Sequence, residues 1–361
     1  MKIDLSLGLF FMKKFIINSE YFFQCAGNCS GCFLTDEEKN STNIYKDNLL
    51  KSFAEISKTL GKKEELVIGI GRGNLLNLSY SQIDDLLEFI KWCEDNFQYE
   101  KIMFELSTSL IGKIEQQIEK SLYILKKSPK NNVYFNTVLN SEITSQTFWK
   151  NVKSFFITNE EYRKSQGLDD DTGDILVLNI NPNKLPNLDF FKTFLENHHS
   201  PVNIALFPFE LNSANDENML NLIKWTEDLF DVLKDKDFNM KNFVKNIENL
   251  ECNIADIFNH YEETKNSYIF VYKTGEITNG SISIMGEVDY IRLKTKYNLT
   301  TDIKNAFIKM QKRKSCQQCE HQKECLYSGG YINFLANEKS LDKSICPSSY
   351  KKLFQLIKEE H

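Results

Sequence analysis

From residue 64 onward the chain alternates apolar runs with amphipathic stretches, and this alternation limits its fold more than any other feature. The runs are "ELVIGI" (65–70), "KIMFEL" (101–106), "VYFNTV" (133–138), "ILVLNI" (175–180) and "VNIALF" (202–207). Between them, "SQIDDLLEFIKWCEDN", "IEQQIEKSLYILKK", "QTFWKNVKSFF" and "LDFFKTFLENH" space their apolar residues as helices do. Strands rich in Ile, Val, Leu and Phe without strict alternation suit a parallel sheet covered on both faces. "KKFIINSEYFF" (13–23) adds a strand at the front, with a helix near 45–60, which brings the strand count to six. A closed barrel needs eight such units in about 250 residues, so the pattern predicts a partial (β/α)6 barrel.

After a long helix at 218–238 the pattern changes. "SYIFVYKTGEITNGSISIMG" (267–286) reads as two strands around a glycine-containing turn, and a helix near 300–314 follows. The 361 residues therefore divide into a barrel unit, 1–238, and a smaller α+β unit, 239–361. Residues 1–12 read as a first strand or docked arm rather than a signal peptide, and no apolar run reaches the length of a membrane span. The charge is mixed (44 Lys+Arg against 50 Asp+Glu), with no basic stripe, which argues against a nucleic-acid partner. "DDDTGD" (169–174) reads as a solvated loop, since it lacks the spacing of a calcium loop.

The nine cysteines are clustered, which points to a reducing, cytoplasmic setting and to metal ligation rather than disulfides. Cys93 sits in a helical pattern and reads as a structural thiol. Cys25, Cys29 and Cys32 are spaced CxxxCxxC in the loop after the first strand, with Gly27 and Gly31 allowing tight turns. Thiolate ligation of an iron–sulfur cluster requires such a loop. A zinc site would lack a fourth ligand nearby, because no histidine precedes His198.

This spacing, in that position of a partial barrel, resembles the radical SAM superfamily. The resemblance implies a 4Fe–4S cluster held by three cysteines, with its fourth iron left for the amino and carboxylate groups of S-adenosylmethionine (SAM). It also implies reductive cleavage of SAM to a 5′-deoxyadenosyl radical that abstracts a substrate hydrogen atom. Family members usually carry an aromatic residue just before the third cysteine. Here that position is Gly31, so adenine packing falls to Phe33 or to the backbone.

The family's GGEP segment, which holds the SAM amino group, corresponds to "IGIGRGNLL". This assigns Gly71, Arg72, Gly73 and Asn74 to cofactor binding, with the Asn74 amide oxygen accepting from the ammonium without the charge of Glu. A dinucleotide loop (Gly69, Gly71 and Gly73 have the spacing GxGxG, not GxGxxG) and a plain tight turn are the competing readings. Asn136, in "FNTVLN", is the candidate for the SAM ribose or carboxylate, with strand-end turn chemistry as its alternative. Glu105 and Glu210 are further candidates to face the barrel mouth.

Cys316, Cys319, Cys325 and Cys346 form a second set, which either zinc or a 4Fe–4S cluster would satisfy. With the hairpin and Gly329-Gly330, the set resembles the SPASM/twitch extension of radical SAM enzymes. The resemblance implies that these four hold one auxiliary cluster. The inner auxiliary site typical of the group lacks its cysteines, since Gly329 occupies one ligand position and Cys252 alone remains nearby. His321 reads as a solvated loop residue.

The function implied is a radical SAM enzyme acting on a peptide or protein, as in maturation of ribosomally made precursors. An external electron donor such as flavodoxin or ferredoxin is implied with it. Only 24 residues precede Cys25, so leader recognition is expected from the barrel mouth, the C-terminal unit or a separate leader-binding protein. The alternatives are the same chemistry on a small metabolite in cofactor biosynthesis, and a non-catalytic iron–sulfur or zinc electron-transfer module.

Overall fold

A computed structural model describes residues 14–27, 34–59, 63–128, 132–140, 145–167, 174–180, 202–208, 268–278 and 306–327. It also describes single positions and short stretches between 185 and 228 and between 334 and 355. The N-terminal arm (1–12), most of the helix read at 218–238, Cys29, Cys32, Phe33, Glu210, Cys252 and Gly329 lie outside the described residues.

All six strands read from the sequence are present, as β1 (Lys14–Ser19), β2 (Lys63–Ile70), β3 (Tyr99–Thr108), β4 (Val133–Asn140), β5 (Ile175–Ile180) and β6 (Val202–Pro208). Each pairs in parallel with its neighbour in sequence, giving the order β6-β5-β4-β3-β2-β1. When strands add in sequence order, crossovers of one hand all fall on the same face of the sheet. That is the winding of a partial (β/α) barrel, as expected.

The helices between them are α1 (Asp36–Asn40), α2 (Lys46–Thr59), α3 (Tyr80–Asn96), α4 (Ile114–Lys127) and α5 (Gln146–Ser165). Local chemistry starts several of them. Ser79 and Gln82 form a capping box at α3, Thr35 and Glu38 form another at α1, and the Ser145 hydroxyl accepts the Phe148 N–H at α5. On α3, Ile83, Leu86, Ile90 and Cys93 recur at helical spacing and are buried, so Cys93 is a core thiol; burial pushes it well above its ordinary range.

Alternate strand residues separate two faces. Phe15, Ile17, Leu66, Ile68, Ile70, Phe104, Leu106, Phe135 and Leu139 pack with the helices in the main core. Val67, Met103 and Tyr134 form a small second cluster, with Ile16 and Ile175 against it, on the opposite face.

The hairpin read at 267–286 appears as β7 (Tyr268–Val271) and β8 (Ile277–Thr278), antiparallel around Gly275. Its position is the main feature that the sequence did not disclose. β7 pairs in parallel with β1, with Ile17 opposite Ile269 and Ser19 opposite Val271, which extends the sheet to eight strands. The hairpin turn is fastened to α2, where Asn48 Nδ2 donates to the Lys273 carbonyl (2.9 Å) and Ser52 Oγ to the Gly275 carbonyl (2.5 Å).

Two polar residues depart from expectation. Asp174, read as part of a solvated loop, is 4% exposed and receives hydrogen bonds from Arg163, Asn159 and the Phe135 amide. His321, read likewise, is 1% exposed. No helix among the described residues is long and apolar enough to cross a membrane.

Candidate metal centre

Cys25 follows β1 by six residues, at the rim formed by the C-terminal strand ends. Its amide donates to the Lys39 carbonyl (3.1 Å), which ties the start of the cysteine loop to α1 beyond it. Its sulfur receives the Gly27 N–H (3.4 Å) and lies 3.7 Å from the Ser109 hydroxyl, just past β3. A sulfur that ligates iron has lone pairs left to accept such hydrogen bonds. The chemistry around Cys25 therefore fits a cluster ligand; Cys29 and Cys32, its expected companions, lie outside the described residues.

The glycine-rich segment after β2 packs directly on the backbone leading to Cys25. Gly71 adopts φ +82°, and a Cβ there would stand 1.8 Å from the Phe22 ring. A Cβ on Gly73 would meet the carbonyl oxygens of Gln24 (2.2 Å) and Phe23 (2.3 Å), which are backbone atoms with little freedom to yield. The Arg72 amide donates to Phe22 O (3.1 Å) and the Asn74 amide to Gln24 O (2.8 Å). The glycines thus serve close backbone approach. Gly73→Ala is expected to cost about 1–3 kcal/mol through overpacking. Because the displaced chain is the one entering the cysteine loop, iron bound at the N-terminal site should fall with it. Urea unfolding together with iron analysis checks both.

Arg72 turns its side chain inward. Its guanidinium lies 4.5 Å from the centre of the Phe270 ring on β7, and Nε is 3.5 Å from Glu20 Oε1. Glu20 also accepts the Lys273 N–H (3.0 Å), and burial, partly offset by that bond and by Arg72, raises its carboxyl above the usual range.

Asn74, expected to accept from the SAM ammonium, is held within the protein. Its side chain is wholly buried and fully used within the protein. Oδ1 accepts from Thr108 Oγ1 (2.7 Å) and from the Leu76 amide (3.3 Å), where it caps the short 3₁₀ turn Leu75–Asn77. Nδ2 reaches the Ile111 carbonyl (3.2 Å), Asn77 Oδ1 (3.3 Å) and Gln117 Oε1 (3.4 Å). A carbonyl oxygen has two lone pairs, and both are engaged, so none remains for an ammonium group. Asn74 is a brace between the loops after β2 and β3.

Asn136 lies on the face opposite the helices, where Nδ2 donates to Glu105 Oε1 (2.5 Å). The other oxygen of Glu105 accepts the Tyr134 hydroxyl (2.8 Å), and burial, then the carboxylate, pushes that phenol well above its ordinary range. The Glu105 bond fixes the Asn136 amide, and its buried Oδ1 has no hydrogen-bond partner among the described residues. Sequence reasoning named Asn136 and Glu105 separately; their pairing follows from β3–β4 register, with Ser107 opposite Asn136.

The C-terminal cysteines also draw together. Cys316 lies on α6 (Lys314–Gln317) and Cys325 on α7 (Gln322–Tyr327), and both are buried; Cys319 and Cys346 are half-buried. Burial, then the neighbouring Cys346, pushes the Cys316 thiol up to about 11. Cys325 is raised well above its ordinary range by burial first, then by Cys346, Cys316 and Cys319. The Cys319 sulfur accepts a hydrogen bond from the His321 backbone, and Cys346 Sγ lies 3.3 Å from Ser348 Oγ. Burial and neighbouring thiols thus hold Cys316, Cys319 and Cys325 in the protonated form, and a cationic iron cluster would offset that cost. Among the described residues, no three Cys, His, Asp or Glu side chains are grouped closely enough to hold a single metal ion.

No protein-family model matches the sequence, and no curated protein matches it. A solved structure does: native anSMEcpe with bound AdoMet and Cp18Cys peptide, at 13% identity, covering 96% of this chain and 97% of that one, with a TM-score of 0.52. The fold is that of anSMEcpe. That protein is an anaerobic sulfatase-maturating enzyme, a radical SAM enzyme with a SPASM domain. The structure of HydG, a maturase of the FeFe-hydrogenase, aligns more loosely, at 11% identity over 96% of this chain and 83% of that one, with a TM-score of 0.32. The resemblance read from the cysteine spacing thus extends to the α/β fold of the barrel.

Proposed function

We propose that the chain is a radical SAM enzyme that acts on a peptide or protein. The observation that carries this reading is Cys25, placed at the C-terminal rim of a partial (β/α) barrel with an amide and a hydroxyl on its sulfur. The spacing CxxxCxxC adds Cys29 and Cys32 within the next seven residues of sequence. When bound, a 4Fe–4S cluster with SAM supplies an electron to a sulfonium and so a carbon radical. The residues present would do the rest. Cys25, Cys29 and Cys32 would hold three irons, and Gly71 and Gly73 press the β2 loop onto the backbone leading to Cys25. Asn136, fixed by Glu105, offers a carbonyl acceptor to a donor group such as a ribose hydroxyl. Phe33 is the candidate for the adenine face.

Cys316, Cys319, Cys325 and Cys346 would hold one auxiliary 4Fe–4S cluster, as an electron relay or as a staple for the unit 239–361. The peptide substrate is supported by likeness to an enzyme solved with a peptide. An electron donor such as flavodoxin or ferredoxin, a separate leader-binding protein and a cytoplasmic setting belong to the same proposal.

One observation favours a second reading. Asn74 replaces the family's carboxylate and is consumed internally, as in a non-catalytic iron–sulfur module whose SAM site has been lost. Calorimetric titration of SAM into anaerobically reconstituted protein separates the two readings. The enzyme reading expects saturable binding and, with dithionite, 5′-deoxyadenosine; protein with full iron content that binds no SAM would leave only the module.

A further inference from the structure

The loop after β3 is built in an unusual way. Leu110 is the one non-glycine residue at positive φ (+51°) among the described residues, and Gly112 follows at φ +136°. Bulky side chains avoid this region, so a buried leucine stays there only when its surroundings fix the backbone. Those surroundings are specific: the Leu110 amide donates to Thr108 Oγ1 (3.4 Å), Thr108 Oγ1 donates to Asn74 Oδ1 (2.7 Å), and Asn74 Nδ2 holds the Ile111 carbonyl (3.2 Å). The residue this turn delivers to the rim is Ser109, whose hydroxyl lies 3.7 Å from the Cys25 sulfur.

We propose that Ser109 is a positioning residue for the iron–sulfur centre, its hydroxyl donating to the Cys25 thiolate and, with the Gly27 amide, raising the reduction potential of the cluster. This rests on the reading of Cys25 as a cluster ligand. Between a thiol and a hydroxyl either group can donate, but a ligating thiolate has no proton, so the bond then runs from Ser109 to sulfur. A donor on sulfur stabilises the reduced cluster, which carries one more negative charge, more than the oxidised one. The reduced state becomes easier to reach, and Asn74 gains a purpose at a distance, as the anchor of the turn that brings the hydroxyl into place.

The test is a potentiometric EPR titration of the cluster signal that changes on adding SAM, recorded without SAM, alongside iron and sulfide analysis. Ser109→Ala is expected to keep full iron content and shift the midpoint to a more negative potential, while Ser109→Thr returns it to the wild-type value. An unchanged midpoint in Ser109→Ala at full iron content overturns the proposal. So does an equal shift in both variants, which would assign the effect to loop geometry rather than to the hydroxyl. A second readout is independent of the potential: after exchange into deuterium oxide, electron–nuclear double resonance should show a strongly coupled deuteron that is missing in Ser109→Ala, and a spectrum that the substitution leaves unchanged would remove Ser109. If wild-type protein binds no iron at the N-terminal cysteines, it is the assignment of Cys25 that fails, not the role of the hydroxyl.

Discussion

Cys32→Ala protein, purified without oxygen, will contain about four irons per chain where the native protein contains about eight, and will form no 5′-deoxyadenosine under reductant. Cys25→Ala and Cys29→Ala should behave in the same way. The sulfur of Cys25 already receives an amide and lies close to a hydroxyl, so on the proposed reading its removal would take away a ligand together with those contacts. The C-terminal quartet is a separate donor set, in which the Cys316 and Cys325 thiols are raised by burial first and then by Cys346 near them. Replacing Cys316 should therefore remove the other half of the iron and leave a signal that still responds to SAM. Zinc in the quartet would show as about four irons and one zinc in the native protein. Iron that stays at the native level in Cys32→Ala would refute the N-terminal site.

Asp174→Ala will be the most destabilising single change away from the cysteines, by about 3–5 kcal/mol. Arg163 and Asp174 are both almost fully buried and meet at 2.5 Å. Around them, Asn159 Nδ2 donates to Asp174 Oδ2 (2.8 Å), the Phe135 amide to Oδ1 (2.9 Å) and Arg163 Nη1 to the Val133 carbonyl (3.0 Å). Ser121 Oγ continues the network to Asn159 Oδ1 (2.8 Å), so α4, α5, β4 and the start of β5 share it. Removing the carboxylate leaves a guanidinium charge without compensation out of water, and the amides lose their acceptor. The double variant Arg163→Met, Asp174→Leu removes both charges and should recover much of the loss, since a buried pair contributes little beyond an apolar pair of similar volume. Urea midpoints for the single and double variants decide the point. A double variant no more stable than Asp174→Ala would count against the charge argument.

The barrel was legible because its signal is local. Each strand is an apolar run, each helix an amphipathic stretch, and sequential pairing is the winding that such alternation favours. What the sequence concealed came from contacts between distant residues. Nothing in "SYIFVYK" says that it pairs with "FIINS", because a parallel partner some 250 residues away leaves no periodic trace. Asn74 was legible as a polar group at a strand end, but its saturation depends on Thr108, Ile111 and Gln117, which no motif links to it. Asp174 and His321 look like surface residues in composition, and only tertiary packing buries them. Ser109 had no sequence signal at all. Its place beside Cys25 comes from one strained turn and the length of β3, whereas the cysteines themselves were plain from their spacing.

The hairpin beside β1 also has a bearing on biosynthesis. Glu20 accepts the backbone N–H of Lys273, the Lys273 ammonium reaches Glu38 (3.1 Å), and it also lies 4.7 Å from the centre of the Phe23 ring. The segments on either side of the first three cysteines are thus held by a residue made about 240 positions after them. A ribosome that has released only the barrel strands has not yet exported the piece that secures this loop. Metallation should accordingly wait for the hairpin, and a nascent chain stalled before residue 268 should hold no stable iron at its first three thiols.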